Sequence, residues 1–263
     1  MSEFSLYVNK ETVISGLDPR AKLVASMALF VVAMSFNHPL YLLVLLLFEA
    51  YLVVASRSLP NIRRIRVLLL LLFVFSAVLW SLFLKEGPLL LRLGPLRVHR
   101  DSLLYAVGMG MRLVSMVVTG MVFLSATMIE EFVFALRKFG LPMPVAFAFS
   151  LAFRMVSQLM KVAATVKQAQ QVRGLDVDAG AIFRRIRNHI PLLIPIFVFS
   201  MKSVDSLTRA LDARGFGCTK KPTPYIIVSA RAGDYAVAIA SLCLAAGAVL
   251  LRLHGFGEVL SRL

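Results

Sequence analysis

Five long runs of apolar side chains dictate what this chain can become. They cover roughly Leu23–Phe36, Leu40–Ala55, Val67–Leu84, Leu103–Ala126 and Tyr235–Leu253. Charge is nearly absent from them, and none alternates as the half-buried elements of a soluble domain do. In lipid, a helix satisfies every backbone polar group within its own segment. The sequence therefore predicts an all-α, polytopic helical membrane protein with about five transmembrane helices. A chain that is 59% hydrophobic and 16% charged fits no soluble class. The first two runs are short for a span of about 20 residues. Only Asn37-His38-Pro39 separates them, which suits a tight turn between antiparallel helices better than one helix kinked at Pro39.

The formal net charge of +15 would suggest nucleic acid in a soluble protein. Here no basic-aromatic platform stands out, and the positive-inside bias of membrane proteins accounts for the excess. Arg57, Arg63, Arg64 and Arg66 crowd the connection after the second run, and residues 128–231 hold fifteen Lys or Arg against six Asp or Glu. Putting both segments in the cytoplasm places the N-terminus inside and the Asn37-His38 turn outside. It also places residues 85–101 outside, where Lys85, Arg92, Arg97 and Arg100 run against the bias. Within that outer segment, Leu89–Leu93 and Leu96–Val98 flank Gly94-Pro95 as a short hairpin would. Residues 1–16 read as a surface segment, and the first twenty residues are polar without a continuous apolar core, so no cleavable signal peptide is expected and insertion is expected to rely on the first membrane helix. Asp18 then serves as N-cap, Pro19 as first helical residue, and Arg20 and Lys22 are expected among lipid headgroups.

Between Met143 and Gly217 the pattern changes. After a surface helix over Met128–Phe139, ended by Gly140 and Pro142, the chain becomes amphipathic. Met155, Leu159, Val162, Val166 and Ala169 form one stripe at helical spacing, opposite Arg154, Ser157, Gln158, Lys161, Thr165 and Gln168. A second helix is expected from near Pro191, with Ile194, Phe197, Met201, Val204 and Leu207 on one side. Lys202, Asp205, Thr208, Arg209 and Asp212 lie on the other. Lys220-Lys221-Pro222-Thr223-Pro224 reads as a linker to the last run. Three regions result: a membrane domain over 1–126, a cytoplasmic helical domain over 127–230, and a final membrane helix over 231–263.

Both amphipathic helices end alike, in Val172-Arg173-Gly174-Leu175 and Ala213-Arg214-Gly215-Phe216, with the arginines 41 positions apart (214 minus 173). A glycine past a helix end adopts a left-handed cap without steric cost, and a cation in the last turn offsets the dipole. One such ending needs no further meaning. Two, on consecutive helices, present guanidinium forks suited to carboxylates in a partner's groove, with Leu175 or Phe216 as an apolar plug.

The order of Leu17-Asp18-Pro19-Arg20-Ala21-Lys22-Leu23, Arg112 in the fourth run, the surface helix over Thr127 to Leu141 and the two Arg-Gly ends resembles the transmembrane T component of energy-coupling-factor (ECF) transporters. Val172 stands where that family usually keeps a small residue. The resemblance implies two cytoplasmic ABC-type ATPase subunits docked on Arg173 and Arg214. It also implies a small membrane-embedded S component that captures a vitamin or transition-metal ion. ATP and Mg would then belong to the ATPases, with no cofactor or metal in this chain, and the setting would be a prokaryotic plasma membrane. Two rivals are a conventional ABC permease lining the substrate path and an intramembrane enzyme. Two Arg-Gly tips in one chain argue against the permease.

Enzyme chemistry finds little support. There is no GxxxxGK[ST] loop, HExxH or Cys/His cluster, and His38, His99, His189 and His254 are scattered. Adjacent Glu130 and Glu131 point different ways on a helix and read as solvated surface. Cys218 and Cys243 form no CxxC site. The methionines around Met109–Met121 read as adaptable packing. Glu49 and Arg112 each lie about nine residues into their runs, roughly 13–14 Å deep at 1.5 Å per residue. Isolated charges there are costly, so the two are expected to form an ion pair bracing two helices.

Overall fold

A computed structural model describes residues 14–84, 88–93, 96–175, 181–218 and 232–255. The expected surface segment before Ile14, the Gly94-Pro95 turn, Lys85 and the Lys220–Pro224 linker fall outside the described residues, in part or whole. The chain is helical throughout these segments except for one hairpin. Its elements are α1 (Pro19–Ser35), α2 (Pro39–Ala55), α3 (Leu59–Phe83), β1 (Leu89–Leu93), β2 (Leu96–His99), α4 (Arg100–Ala126), α5 (Ile129–Lys138), α6 (Met143–Val172), α7 (Ile182–Ala213) and α8 (Ala232–Leu253). β1 and β2 pair antiparallel, with Leu93 opposite Leu96 and Leu89 opposite His99. That is the hairpin the flanking runs suggest.

Two compact units emerge, one of Met1–Leu141 with Val228–Leu263 and one of Pro142–Ile227. The first boundary thus falls later than the expected 126/127 division. The reason is α5, which belongs with the first unit. Its Val133 and Ala135 are buried, and Glu131 is tied to α1 through Lys22.

Among the described residues, five helices are long and apolar enough to cross a membrane: α3, α4, α6, the Arg185–Ala213 part of α7, and α8. The number equals the expected one, but the membership differs. α1 and α2 have 17 residues each, about 25 Å at 1.5 Å per residue, short of a hydrocarbon core of about 30 Å. α6 and α7 qualify because each carries a charge-free, largely apolar block, Val145–Phe153 and Leu192–Met201, broken only by Ser150 in the first and by Pro195 and Ser200 in the second. α7 also starts nine residues before Pro191, at Ile182. Its helix continues through Pro191 and Pro195, each of which removes one backbone donor.

The first unit is built on close helix contact. Its buried cluster joins Ala28, Val32, Ala33 and Phe36 of α1 and its C-cap to Leu42 and Leu45 of α2 and Ala245 and Ala248 of α8. α1 and α8 run parallel. The Asp18 N–H, at the start of α1, donates to Asp234 Oδ1, near the start of α8, at 3.0 Å. At the other ends, Arg252 Nη1 of α8 donates to the Met34 carbonyl of α1 at 3.1 Å. On α4, a Cβ at Gly108 would stand 2.3 Å from the Asn37 carbonyl oxygen, and one at Gly110 would stand 2.8 Å from the Phe73 ring. Glycine at these positions lets the α1–α2 turn and α3 close onto α4.

Candidate functional site

The two Arg-Gly ends share one backbone geometry. Arg173 is the C-cap of α6 and Arg214 the C-cap of α7. Gly174 and Gly215 follow in the left-handed region, at φ 84° and 69°. The Gly174 N–H donates to the Gln171 carbonyl at 3.0 Å and the Leu175 N–H to the Gln170 carbonyl at 3.0 Å. At the second end, Gly215 N–H donates to Asp212 at 2.9 Å and Phe216 N–H to Leu211 at 3.0 Å. Both are Schellman closures, which satisfy the last carbonyls and fix the direction in which the chain leaves the helix. The repeated sequence therefore encodes a repeated rigid end.

Val172, Arg173, Gly174, Ala213, Arg214, Gly215 and Phe216 are all exposed, and Leu175 is half-buried. Among the described residues neither arginine side chain has a hydrogen-bond or ion-pair partner. Phe216 packs its ring on Phe147 with centroids 4.4 Å apart. That anchors the second end while leaving the ring 46% exposed. A Cβ added at Gly174 would meet no atom within 4 Å, so backbone strain alone governs substitution. Gly174→Ala is expected to cost about 1–2 kcal/mol locally, the penalty of left-handed backbone with a Cβ. Faster amide hydrogen exchange at Leu175 would report the loosened closure, and Gly174→Asn should be milder.

The apolar stripes divide in two. On α6, Met155, Leu159, Val162 and Val166 are half-buried, while Ala169 is exposed. On α7 the packed face is Leu192, Ile196, Phe199, Ser203 and Leu207. Ile194, Phe197, Met201 and Val204 of the expected stripe are 49–64% exposed. An apolar face of this extent marks an interaction surface in protein or lipid.

The expected Glu49–Arg112 ion pair does not form. Glu49 is 1% exposed and its Oε1 accepts from Ser115 Oγ at 2.6 Å and Thr119 Oγ1 at 2.8 Å. Arg112 donates to the carbonyls of Ala33 at 3.0 Å and Phe36 at 2.6 Å, and to Asn37 Oδ1. The cause is register. α2 and α4 run parallel, with Asn37 level with Gly108 and Glu49 level with Ser115 and Thr119. Arg112 therefore lies about one turn nearer the N-terminal ends, and helical side chains lean further that way. Its guanidinium, with that of Arg252, serves the last carbonyls of α1, where a cation offsets the helix dipole. A Glu49→Gln, Arg112→Gln double-mutant cycle on thermal stability is expected to be additive within about 0.5 kcal/mol.

Sequence reasoning also misplaces Lys22. It is not among headgroups but 6% exposed, donating to the carbonyls of Ser15 at 2.8 Å and Ala126 at 2.9 Å and to Glu131 Oε2 at 3.2 Å. Glu131, expected as solvated surface, also accepts from the Met128 N–H at 3.4 Å. Spacing carries no sign of this junction, because Lys22 and Glu131 are 109 positions apart. Among the described residues no group of His, Cys, Asp or Glu is placed to hold a metal ion.

A helical chain with several membrane-length apolar helices and two equivalent arginine-capped ends is a multi-pass membrane protein with a paired, exposed cationic feature. Comparison with known proteins gives the family. The profile of CbiQ, described as cobalt transport protein, matches residues 10–225, and the chain belongs to this family. It is 27% identical over 256 residues to the "Energy-coupling factor transporter transmembrane protein EcfT" of Bacillus subtilis (strain 168), covering 94% of this chain and 96% of the relative. The protein of that name from Thermosediminibacter oceani is 28% identical over 257 residues, with 94% and 96% covered. That of Exiguobacterium sibiricum is 30% identical over 183 residues, with 66% and 70% covered.

Proposed function

We propose that this chain is the transmembrane energy-coupling subunit of an ECF-type ABC importer, joining two cytoplasmic ATPases to a substrate-binding S component for uptake of a vitamin or a transition-metal ion. The observation that carries the reading is the pair of matching Schellman ends, each with an exposed guanidinium that has no partner among the described residues. A single capped helix would be only a helix end. A repeated one, with the same donor at the same cap position, suits two copies or close relatives of one partner. Each ATPase would take one tip, accepting Arg173 or Arg214 on a carboxylate, with Leu175 or Phe216 seated beside it.

In this reading the chain is not an enzyme. ATP and Mg are bound by the partner ATPases, and their closure moves α6 and α7 as levers. Those helices have 30 and 32 residues, about 45–48 Å of rigid rod at 1.5 Å per residue. The exposed apolar row Ile194, Phe197, Met201 and Val204 gives the S component a surface to rest against. The Arg-Gly ends of α6 and α7 and the N-terminus are cytoplasmic by the charge bias. The parallel course of α1 and α8 is consistent with that topology, which sends both outward from the same side. The rival in which this subunit alone lines a substrate path, as in a conventional ABC permease, leaves the second Arg-Gly tip without a task.

Purification of the full chain from its native membrane tests this. Two ATPase copies and one small apolar membrane protein per chain are expected by quantitative mass spectrometry. Recovery of a chain that transports or turns over substrate without ATPases would overturn the reading.

A further inference from the structure

The far ends of α1 and α8 bring two arginines to one oxygen. The Met34 carbonyl accepts from Arg252 Nη1 at 3.1 Å and faces Arg112 Nη2 at 3.5 Å, and both contacts lie at the exposed surface of the first unit. The two nitrogens therefore stand within about 7 Å of each other, a range at which like charges repel. Among the described residues no carboxylate pairs with either arginine, and the ion pairs that do form, Arg20–Asp18 and Lys22–Glu131, lie at the opposite end of α1. Glu49 is held deeper in by Ser115 and Thr119. Asp101 stands eleven residues further out on α4, about 16 Å along its axis. The carbonyl end of α1 supplies only about half a negative charge, so this end of the unit keeps an excess of positive charge.

The donors left over narrow what would offset it. Arg112 is fixed by its bonds to the Ala33 and Phe36 carbonyls and Asn37, while its Nη1 meets only the Met109 sulfur, a weak acceptor. Arg252 is exposed and directs one of its five N–H donors to Met34; the other four have no acceptor among the described residues. A guanidinium fork matches the oxygens of a phosphate two at a time. The depth is that of lipid headgroups: α8 has 22 residues, about 33 Å against a hydrocarbon core of about 30 Å, and Arg252 is its second-last. Tyr41, 41% exposed and stacked on Phe36 with centroids 4.9 Å apart, stands at the same level, as aromatic rings do at that boundary. Running inward from the pair, Met27, Val31 and Met34 form one exposed apolar row on α1. A free phosphate has no use for such a row, and a zwitterionic lipid brings its own ammonium to its phosphate. We infer that Arg112 and Arg252 bind the phosphate of one anionic phospholipid, in the leaflet opposite the Lys22 junction, with an acyl chain along Met34, Val31 and Met27.

The test places the full chain in phosphatidylcholine nanodiscs doped with a phosphatidylglycerol probe that carries a diazirine near its glycerol backbone, and maps labelled residues by mass spectrometry. Label is expected within residues 34–37 or 250–254, about tenfold stronger than from the matched phosphatidylcholine probe, the effect of one hydrogen bond to a charged group. Unlabelled phosphatidylglycerol should displace it, and millimolar inorganic phosphate should not. Arg252→Gln should lower this label to the level of the phosphatidylcholine probe. Arg66→Gln, which removes the same charge from an exposed site near the start of α3, should leave it unchanged. If Arg252→Gln fails to fold, the comparison of the two probes in the wild type decides alone. Equal labelling by the two probes, or full labelling of Arg252→Gln, would overturn the proposal. Displacement by inorganic phosphate would assign the pair to a free anion and overturn it as well.

Discussion

Replacing Arg173 and Arg214 together with alanine is expected to release the ATPases and reduce ATP-driven uptake to background. A buried, hydrogen-bonded charge contact typically costs about 2–5 kcal/mol when one side is truncated, so losing either arginine should weaken docking at least tenfold. Losing both should leave no stable complex at micromolar concentrations. The fold should survive, because both side chains are exposed and the Schellman closures are made by backbone and by Gly174 and Gly215. Lysine at the two positions should recover only part of the activity, since an ammonium cannot repeat a two-pronged contact with a carboxylate. Co-purification and vesicle uptake measured on the same samples separate docking from coupling. Wild-type uptake by the double alanine variant would refute the assigned roles.

The second large effect is expected at Lys22. Lys22→Met keeps the length and apolar stem of the side chain but strands a carboxylate and two carbonyls. Because the Glu131 side chain stays 32% exposed, stranding it costs less than breaking a fully buried pair, but the Ser15 and Ala126 carbonyls lose their donor too, at about 1–3 kcal/mol for each buried one left unpaired. A melting temperature many degrees lower is expected in detergent. Adding Glu131→Gln should restore part of the loss, because the stranded charge goes with it. A variant that melts like the wild type would show the junction to be unimportant. The effect should fall on the first unit, where Lys22 joins the start of α1 to the end of α4 and to α5.

Much of this is legible in the sequence for identifiable reasons. The apolar runs mark the helices, Leu89–Leu93 and Leu96–Val98 the hairpin, and the two Arg-Gly endings the helix stops, since each of these signals is local. Glycine after arginine reads as a left-handed cap at a helix end, and both caps form. What fails depends on register between distant helices. Glu49 and Arg112 count nine residues into their runs, yet α4 begins earlier than its apolar run, at Arg100, and the two side chains meet different neighbours. Pro191 reads as a helix start because proline usually is one, whereas α7 tolerates it and Pro195 within one continuous helix. Lys22 looks like a headgroup anchor because nothing near it in sequence foretells Glu131. The exposed Arg173 and Arg214 are legible as a pair only because the motif repeats.

The end-to-end pinning of α1 by α8 has a consequence for biogenesis. The Met34 carbonyl near the end of α1 accepts from Arg252 of a helix translated more than 200 residues later, and the Asp18 N–H at its start donates to Asp234 of that same helix. While the ribosome is still making the middle of the chain, the first hairpin must wait in the bilayer with a vacant flank. A nascent chain arrested before α8 emerges would leave that flank open to chaperones, to proteases, or to a neighbouring polypeptide with a complementary arginine.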